Sequence, residues 1–406
     1  MDTRSITRLA LRNYKSVESC EIEFAPLTIL VGRNGVGKSN ILDSLRFTTD
    51  AVNTTLEFAI RERGGIDQVR RKSLGGRPTH PGVALRLRTS LGEAEYSFRI
   101  AAVKGLAFRV DKESCRMIEP DGAIRHEFEI DNGEVRKWTL RSAAPAVSPD
   151  RLFLVAASGQ PEFRPVWDVL RRMTFHNLNP EAMKLPTRPE PGELLAHDGR
   201  NLASVIKQLK ASNGGRLDRV LQFMRAIGVP ITKIDHKQAG TLETIEVSQE
   251  MTVPEGLRNS NFDAISLSDG TIRALGILVS LVSAGASKSA GPTLIGIEEP
   301  ETALHPAAAG ALMEALSEGS ESTQIIVTCH SPDLLDHESV SHDMIRPVLL
   351  DNGRTVVGRL SPHKAELLGK HLSTAGELLR IDQLEPDPAD LKRQEEARGT
   401  FYEAPE

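Results

Sequence analysis

LTILVGRNGVGKSNIL, residues 27–42, decides the fold. Leu27 to Val31 is a short apolar run of the kind that forms a buried strand. It feeds directly into Gly32-Arg33-Asn34-Gly35-Val36-Gly37-Lys38-Ser39, which matches the phosphate-cradling pattern G-x-x-x-x-G-K-[ST]. From Asn40 onward, Ile41, Leu42 and Leu45 fall at helical spacing. Strand, glycine loop and helix together are the context such a loop requires. Gly32, Gly35 and Gly37 let the backbone fold so that successive N–H groups face phosphate oxygens. The helix end behind them adds partial positive charge. Lys38 is expected to reach the β- and γ-phosphates of a nucleotide, and Ser39 to ligate Mg²⁺.

Three further segments extend this reading. In LIGIEEPETALHP (294–306), a buried strand ends in Glu298-Glu299. One carboxylate there can hold Mg²⁺ and the next can polarise an attacking water. Neighbouring residues on a strand point to opposite faces, so both roles must be met where the chain turns. In LSDGT (267–271), Ser268 is placed to cap the helix that follows. With Gly270 and the helix dipole it can also bind a phosphate. In QIIVTCHS (324–331), His330 follows a buried strand and can hydrogen-bond a γ-phosphate.

Composition bounds the rest. The chain has 406 residues, 39% hydrophobic and 26% charged, an ordinary globular balance sufficient for two or three domain-sized units. A net charge of −5 excludes a uniformly basic nucleic-acid coat. Cys20, Cys115 and Cys329 show no paired spacing, which points to a reducing compartment. No secretory h-region and no long apolar span is visible, so a cytoplasmic protein without a membrane segment is expected.

Along the chain, 6–11 and 20–24 alternate as strands. Residues 82–140 read as an antiparallel β region with a hairpin turn at Asp131-Asn132-Gly133. Residues 163–228 carry helical periodicity: Leu202, Val205, Ile206, Leu209 and then Leu217, Val220, Leu221, Met224, divided at Gly214-Gly215. Strand character returns over 231–250. Residues 268–285 predict a helix apolar nearly all round, hence buried. A second hairpin turns on Asp351-Asn352-Gly353, and from Pro386 the tail is polar and expected to be mobile. The expected division is 1–160 with the glycine loop and β subdomain, 161–230 as a helical lobe, 231–360 with the other three segments, and 361–406 as a C-terminal helix and tail.

On these four segments, with LRNYKSV (11–17), IRERGGIDQVRR (60–71) and LAHDGRNLASVI (195–206), the chain resembles the RecF/SMC/OLD group of ABC-type ATPases. The resemblance is to the bacterial branch found in defence islands, and it spans roughly residues 6–360. It implies an α/β fold: a P-loop NTPase, specifically an ABC-type ATPase head with an antiparallel β subdomain and a helical lobe. Two such heads sandwich two Mg-ATP molecules. The resemblance then implies that Gly32 to Asn40 cradle ATP and that Ser268 and Gly270 touch the γ-phosphate held by a second copy. Glu298 becomes the Mg²⁺ carboxylate, although aspartate is commoner there. Glu299 becomes the catalytic base and His330 the switch histidine. His305 falls in the loop crossing the dimer interface, and Arg12 and Asn13 near the nucleotide.

Two departures stand out. Asp269 occupies a position where ABC transporters have glycine, and the glutamine that usually completes the Mg²⁺ site is not obvious. Gln160, where sheet gives way to helix, is the candidate. No heptads run between Ser39 and Leu267, so no SMC-like coiled coil is expected. Too little chain follows His330 for the Toprim nuclease domain of OLD enzymes, so a head acting on a separate effector protein is expected. Two stretches could meet duplex DNA. These are Arg61, Arg63, Arg70, Arg71, Lys72 and Arg77, and Arg200, Lys207, Lys210, Arg216, Arg219 and Arg225. The two expected outputs are an ATP-dependent homodimeric switch controlling an effector, as in antiphage defence, and a RecF-like DNA-binding repair ATPase. A P-loop kinase is disfavoured because LSDGT and the Glu298-Glu299 pair would then have no role.

Overall fold

The computed structural model describes residues 5–72, 76, 80–102, 108–212, 215–254, 256–284, 291–302 and 304–396. Contacts divide the chain into two units interleaved in sequence. The first is Met1–Met173 with Asp343–Glu366 and Leu384–Glu406; the second is Thr174–His342 with Leu367–Gln383.

The first unit is built on a seven-stranded antiparallel sheet. Val17–Glu23 lies at one edge and Ser5–Tyr14 beside it. Gly82–Thr89, Gly92–Ala102, Phe108–Ile118, Ile124–Asp131 and Glu134–Trp138 then follow in chain order. Two-residue alternation turns Leu85, Leu87, Tyr96, Phe98, Cys115, Met117, Phe128 and Ile130 inward. The helix Lys38–Asn53 meets this face through Phe47, 6.1 Å from the Phe98 ring. The Asp131-Asn132-Gly133 turn forms as expected, with Asn132 and Gly133 at φ 52° and 80°.

Leu27–Val31 is buried at all five positions and pairs in parallel with Ile345–Asp351. A strand covered on both faces needs a continuous apolar run, not alternation. Ile345–Asp351 turns through Asn352 and Gly353 into the antiparallel strand Arg354–Val357. The tail departs from expectation. Pro388–Glu396 is a helix beside Val17–Glu23, and the Gln394 side chain accepts from Glu21 N and donates to Val357 O. Those two bonds hold a segment whose polar composition alone predicts mobility; residues 397–406 lie outside the described ones.

In the second unit, Leu294–Glu298 and Gln324–Cys329 pair in parallel, and Ala309–Ser320 connects them as a crossover helix. The helix Asp269–Ala284 is buried as its composition predicts, with Ile272, Leu275, Ile277, Leu278 and Val279 in the core. Leu202–Ala211 and Arg216–Ala226 form the expected helical pair and pack on it; Gly214 lies outside the described residues. Two strands were not legible. Met173–His176 interrupts the helical region because its four residues are too few to show a period. Gly256–Asp263 is the edge of a three-stranded sheet with Ile231–Ala239 and Leu242–Val253. It buries no face, so its sequence does not alternate.

Two buried ionisable groups set opposing pH dependences. Burial holds His176 down at about 4. Its share of stability is present above the unfolded value near 6.5 and lost as pH falls towards 4. Burial pushes Glu113 up to about 7, against hydrogen bonds from Leu154 N, Phe153 N and Tyr96 Oη. Its share is present below about 4.5 and lost as pH rises through 7. The two contributions oppose each other between about pH 4.5 and 6.5 in the parent, so denaturant unfolding of His176→Gln is expected to show stability falling as pH rises through that window, the Glu113 dependence left unopposed. Glu113→Gln should steepen the acid loss. Each slope is worth up to about 3 kcal/mol.

Candidate active site

The glycine loop lies in the first unit. A Cβ on Gly32 would fall 2.2 Å from Val348 O, and one on Gly37 2.1 Å from Thr355 Oγ1. Gly37 also sits at φ 105°, where other residues are strained. The glycines are thus fixed by close approach as well as by loop conformation. Lys38 is buried, and its ammonium donates to Gly32 O at 2.7 Å and Arg33 O at 3.0 Å, crossing its own loop. Ser39 is exposed at the start of the helix Lys38–Asn53, beside Asn40. Backbone donors, helix end and a loop-borne ammonium form a donor set suited to a nucleotide's phosphates.

Sequence reasoning missed what braces this loop. Asn40 Nδ2 donates to Ser16 Oγ at 2.6 Å; Ser16 Oγ is 2.7 Å from Thr355 Oγ1, which donates to Val36 O at 2.8 Å. Ser16 belongs to LRNYKSV, which gives that segment a physical reason. In the same segment, Asn13 and Lys15 adopt positive φ. Tyr14 Oη donates to Asp43 Oδ2 at 2.7 Å, tying the turn to the loop's helix. Arg12 is exposed and Asn13 half-buried on this turn. Burial acts to raise Asp43, but Arg63 and Lys15 prevail and hold it below the usual carboxylate range.

Arg63 shows that IRERGG is an internal brace. Its side chain is only 6% exposed and spans Asp43 and Asp50. Arg70 pairs with Asp67, Arg71 with Glu18, and Lys72 with Gln68. Arg77 lies outside the described residues. Gln160 is half-buried in the turn after the helix Phe153–Ala157, its carbonyl accepting from Phe163 and Arg164 N.

The acidic residues lie in the second unit. The strand ends at Glu298, and Glu299 takes φ 43°, the left-handed region. The chain therefore turns between the two carboxylates. A non-glycine residue there is strained, and such strain gathers at functional sites. Glu299 N is held by Thr328 O and Thr328 Oγ1, both at 3.1 Å. Arg273, one turn along the helix that begins at Asp269, donates to Glu298 O at 3.2 Å and Glu299 O at 3.3 Å. Burial lowers Arg273, and Glu299, Glu301 and Glu298 oppose that.

His330 Nδ1 stands 3.6 Å from Glu299 Oε1 and 3.4 Å from Glu301 Oε1. Glu301 Oε1 also accepts from His330 N at 2.9 Å and Ser331 N at 3.3 Å, so it orders the histidine's backbone. Neither Glu301 nor Arg273 was singled out from sequence. The signal for Glu301 was its place in E-E-P-E-T, three carboxylates of which only two had roles. Ser268 Oγ accepts from Thr271 N at 3.1 Å, which is the expected cap. Gly270 follows in the first turn, and His305 caps its own short turn by accepting from Ala307 N.

The second basic stretch is also largely engaged within its unit. Arg200 meets Glu190 and Asp198, Lys210 meets Asp235, and Arg219 meets Glu318. Arg225 Nε donates to Ile231 O. Among the described residues, no helix is long and apolar enough to cross a membrane.

Residues 27–336 match the family described as "AAA domain, putative AbiEii toxin, Type IV TA system". The Old nuclease of Escherichia phage P2 is 23% identical over 411 residues, covering 91% of this chain and 64% of that protein. The DNA replication and repair protein RecF of Phocaeicola vulgatus is 38% identical over 63 residues, 14% of this chain and 17% of that protein. The chain thus spans less than two thirds of either relative. A crystal structure of an SMC head bound to the C-winged helix domain of ScpA aligns with a TM-score of 0.50 at 14% identity, covering 89% of this chain and 99% of that one. At that identity the likeness concerns fold alone. The chain belongs to this AAA-domain family and is an ATPase of the RecF/SMC/OLD type.

Proposed function

We propose that this chain binds Mg-ATP, pairs with a second copy around it, hydrolyses it slowly, and uses the cycle to control a separate effector protein. The observation that carries the reading is the left-handed turn at Glu299, beside His330 and braced by Arg273 and Thr328. It presents two successive carboxylates with separate duties. Gly32 to Asn40 would hold the phosphates, with Arg12 and Asn13 near the nucleotide. Ser39 and Glu298 would hold Mg²⁺, with Gln160 as a further ligand. Bound Mg²⁺ would neutralise phosphate charge. Glu299 takes the proton of the attacking water, and His330, whose Nδ1 lies 3.6 Å from it, reports the terminal phosphate. Ser268 and Gly270 would complete the site from the second copy. The test is light scattering of the full chain: Mg-ATP should shift it towards a dimer, and an unchanged mass would overturn pairing. A cytoplasmic role in antiphage defence is the setting this reading favours.

A second reading, a RecF-like DNA-repair ATPase, is supported by the 63-residue likeness to RecF. The internal pairing of both basic stretches weighs against it. If it holds, duplex DNA binding should fall by roughly 0.9 log units per log unit of salt for each phosphate contact. Charge reversal at Arg216 and Arg219 should reduce that slope. No binding at low salt, with or without ATP, leaves the effector switch.

A further inference from the structure

We propose that Lys184 is a positioning residue of the LSDGT loop. Its ammonium neutralises Asp269, so that the Ser268–Gly270 end of the helix can accept the terminal phosphate of ATP held by a second copy. This rests on the pairing reading above.

The problem it addresses is visible in the sequence. Asp269 places a carboxylate between the two residues that would touch an anion. As the first residue of the helix Asp269–Ala284, that carboxylate suits the helix dipole and needs no partner for stability. Its side chain is 66% exposed, so it faces whatever approaches the loop. Against an incoming phosphate it would be a like charge, and like charges across an interface oppose association. Lys184 Nζ lies 2.6 Å from Asp269 Oδ1, with its own side chain only 19% exposed.

The placement of Lys184 is built, and the segment LAHDGRNLASVI builds it. Lys184 ends the short helix Pro180–Lys184. Its neighbour Met183 is buried against two glycines. A Cβ on Gly199 would fall 2.7 Å from Met183 Cγ, and one on Gly276 2.5 Å from Met183 Cε. Gly276 belongs to the same helix as Asp269, so Met183 seats Lys184's helix directly on it. The 195–201 loop fixes the approach. Asn179 N donates to Asp198 O and Asn177 N to His197 O, each at 3.0 Å, and the His197 ring is bonded to Phe175 O at 2.7 Å. Gly199 itself is at φ 78°, a conformation that favours glycine. A long cationic side chain is thus delivered to the exposed carboxylate by a packed, hydrogen-bonded frame, and not by a free surface encounter.

The experiment uses the full chain carrying Glu299→Gln, with light scattering as a function of ATP. Lys184→Ala should weaken ATP-dependent pairing about tenfold and Lys184→Glu further. Adding Asp269→Asn to Lys184→Ala should restore most of it. Nucleotide-free melting should be unchanged by Lys184→Ala, since an exposed ion pair contributes little to stability. Pairing indifferent to Lys184, or no recovery with Asp269→Asn, would overturn the role. So would a melting loss that tracks the pairing loss, because the pair would then serve the fold. A Glu299→Gln parent that does not pair with ATP would overturn the pairing reading, and this role with it; a parent that pairs regardless of Lys184 overturns this role alone.

Discussion

Glu299→Gln should lower steady-state ATP hydrolysis by about 10²–10⁴-fold while ATP binding persists. That is the usual cost of losing a positioned general base. The substitution is nearly isosteric, so it leaves the backbone bonds of Glu299 to Thr328 and Arg273 in place. The left-handed backbone is equally strained for glutamine, so the turn itself should survive. What is lost is the proton-accepting carboxylate. Lys38→Ala should fail differently: its ammonium sits within the glycine loop, so nucleotide affinity itself should fall. Hydrolysis rates and nucleotide titrations on both proteins separate the two roles. An undiminished rate in Glu299→Gln would remove it from the mechanism.

The parts of the site that could be read from sequence are those with a fixed local pattern. Gly32 to Ser39 is legible because phosphate binding by successive N–H groups demands glycines at set spacing. The strand ends at Val31 and Glu298 are legible because a doubly buried strand is an unbroken apolar run. The braces were not legible, because each joins residues far apart in the chain. Ser16 and Thr355 meet across 339 positions, and Arg273 reaches forward to Glu298 and Glu299 across 25 and 26. No local period encodes such a pair. The basic stretches illustrate the converse: counting cations locally could not show that Glu18, Asp43 and Glu318 occupy several of them. IRERGG is better understood as a clamp on the helix of the glycine loop than as a surface for nucleic acid.

Ser268→Arg should abolish ATP-dependent pairing and, with it, turnover. Ser268 is exposed, and its hydroxyl caps the helix, accepting from Thr271 N and donating to Thr271 Oγ1. Losing a serine cap typically costs about 1 kcal/mol, too little to unfold a chain of this size. Asp269 in the first turn also continues to favour the helix end. The fold should therefore tolerate the change, and nucleotide-free melting should show only that modest loss. The arginine's bulk, however, would stand where a second copy's terminal phosphate must approach the helix end. Ser268→Asn keeps a capping oxygen without that bulk and should match the parent's melting temperature, so the two variants separate the cap from the contact. ATP titration of Ser268→Arg should still show binding, because the glycine loop is untouched. If Ser268→Arg hydrolyses ATP at the parent rate, the loop is a helix cap and nothing more, and catalysis belongs to a single head. If binding persists while pairing and turnover are lost together, hydrolysis requires the second copy, and the effector would sense the paired state.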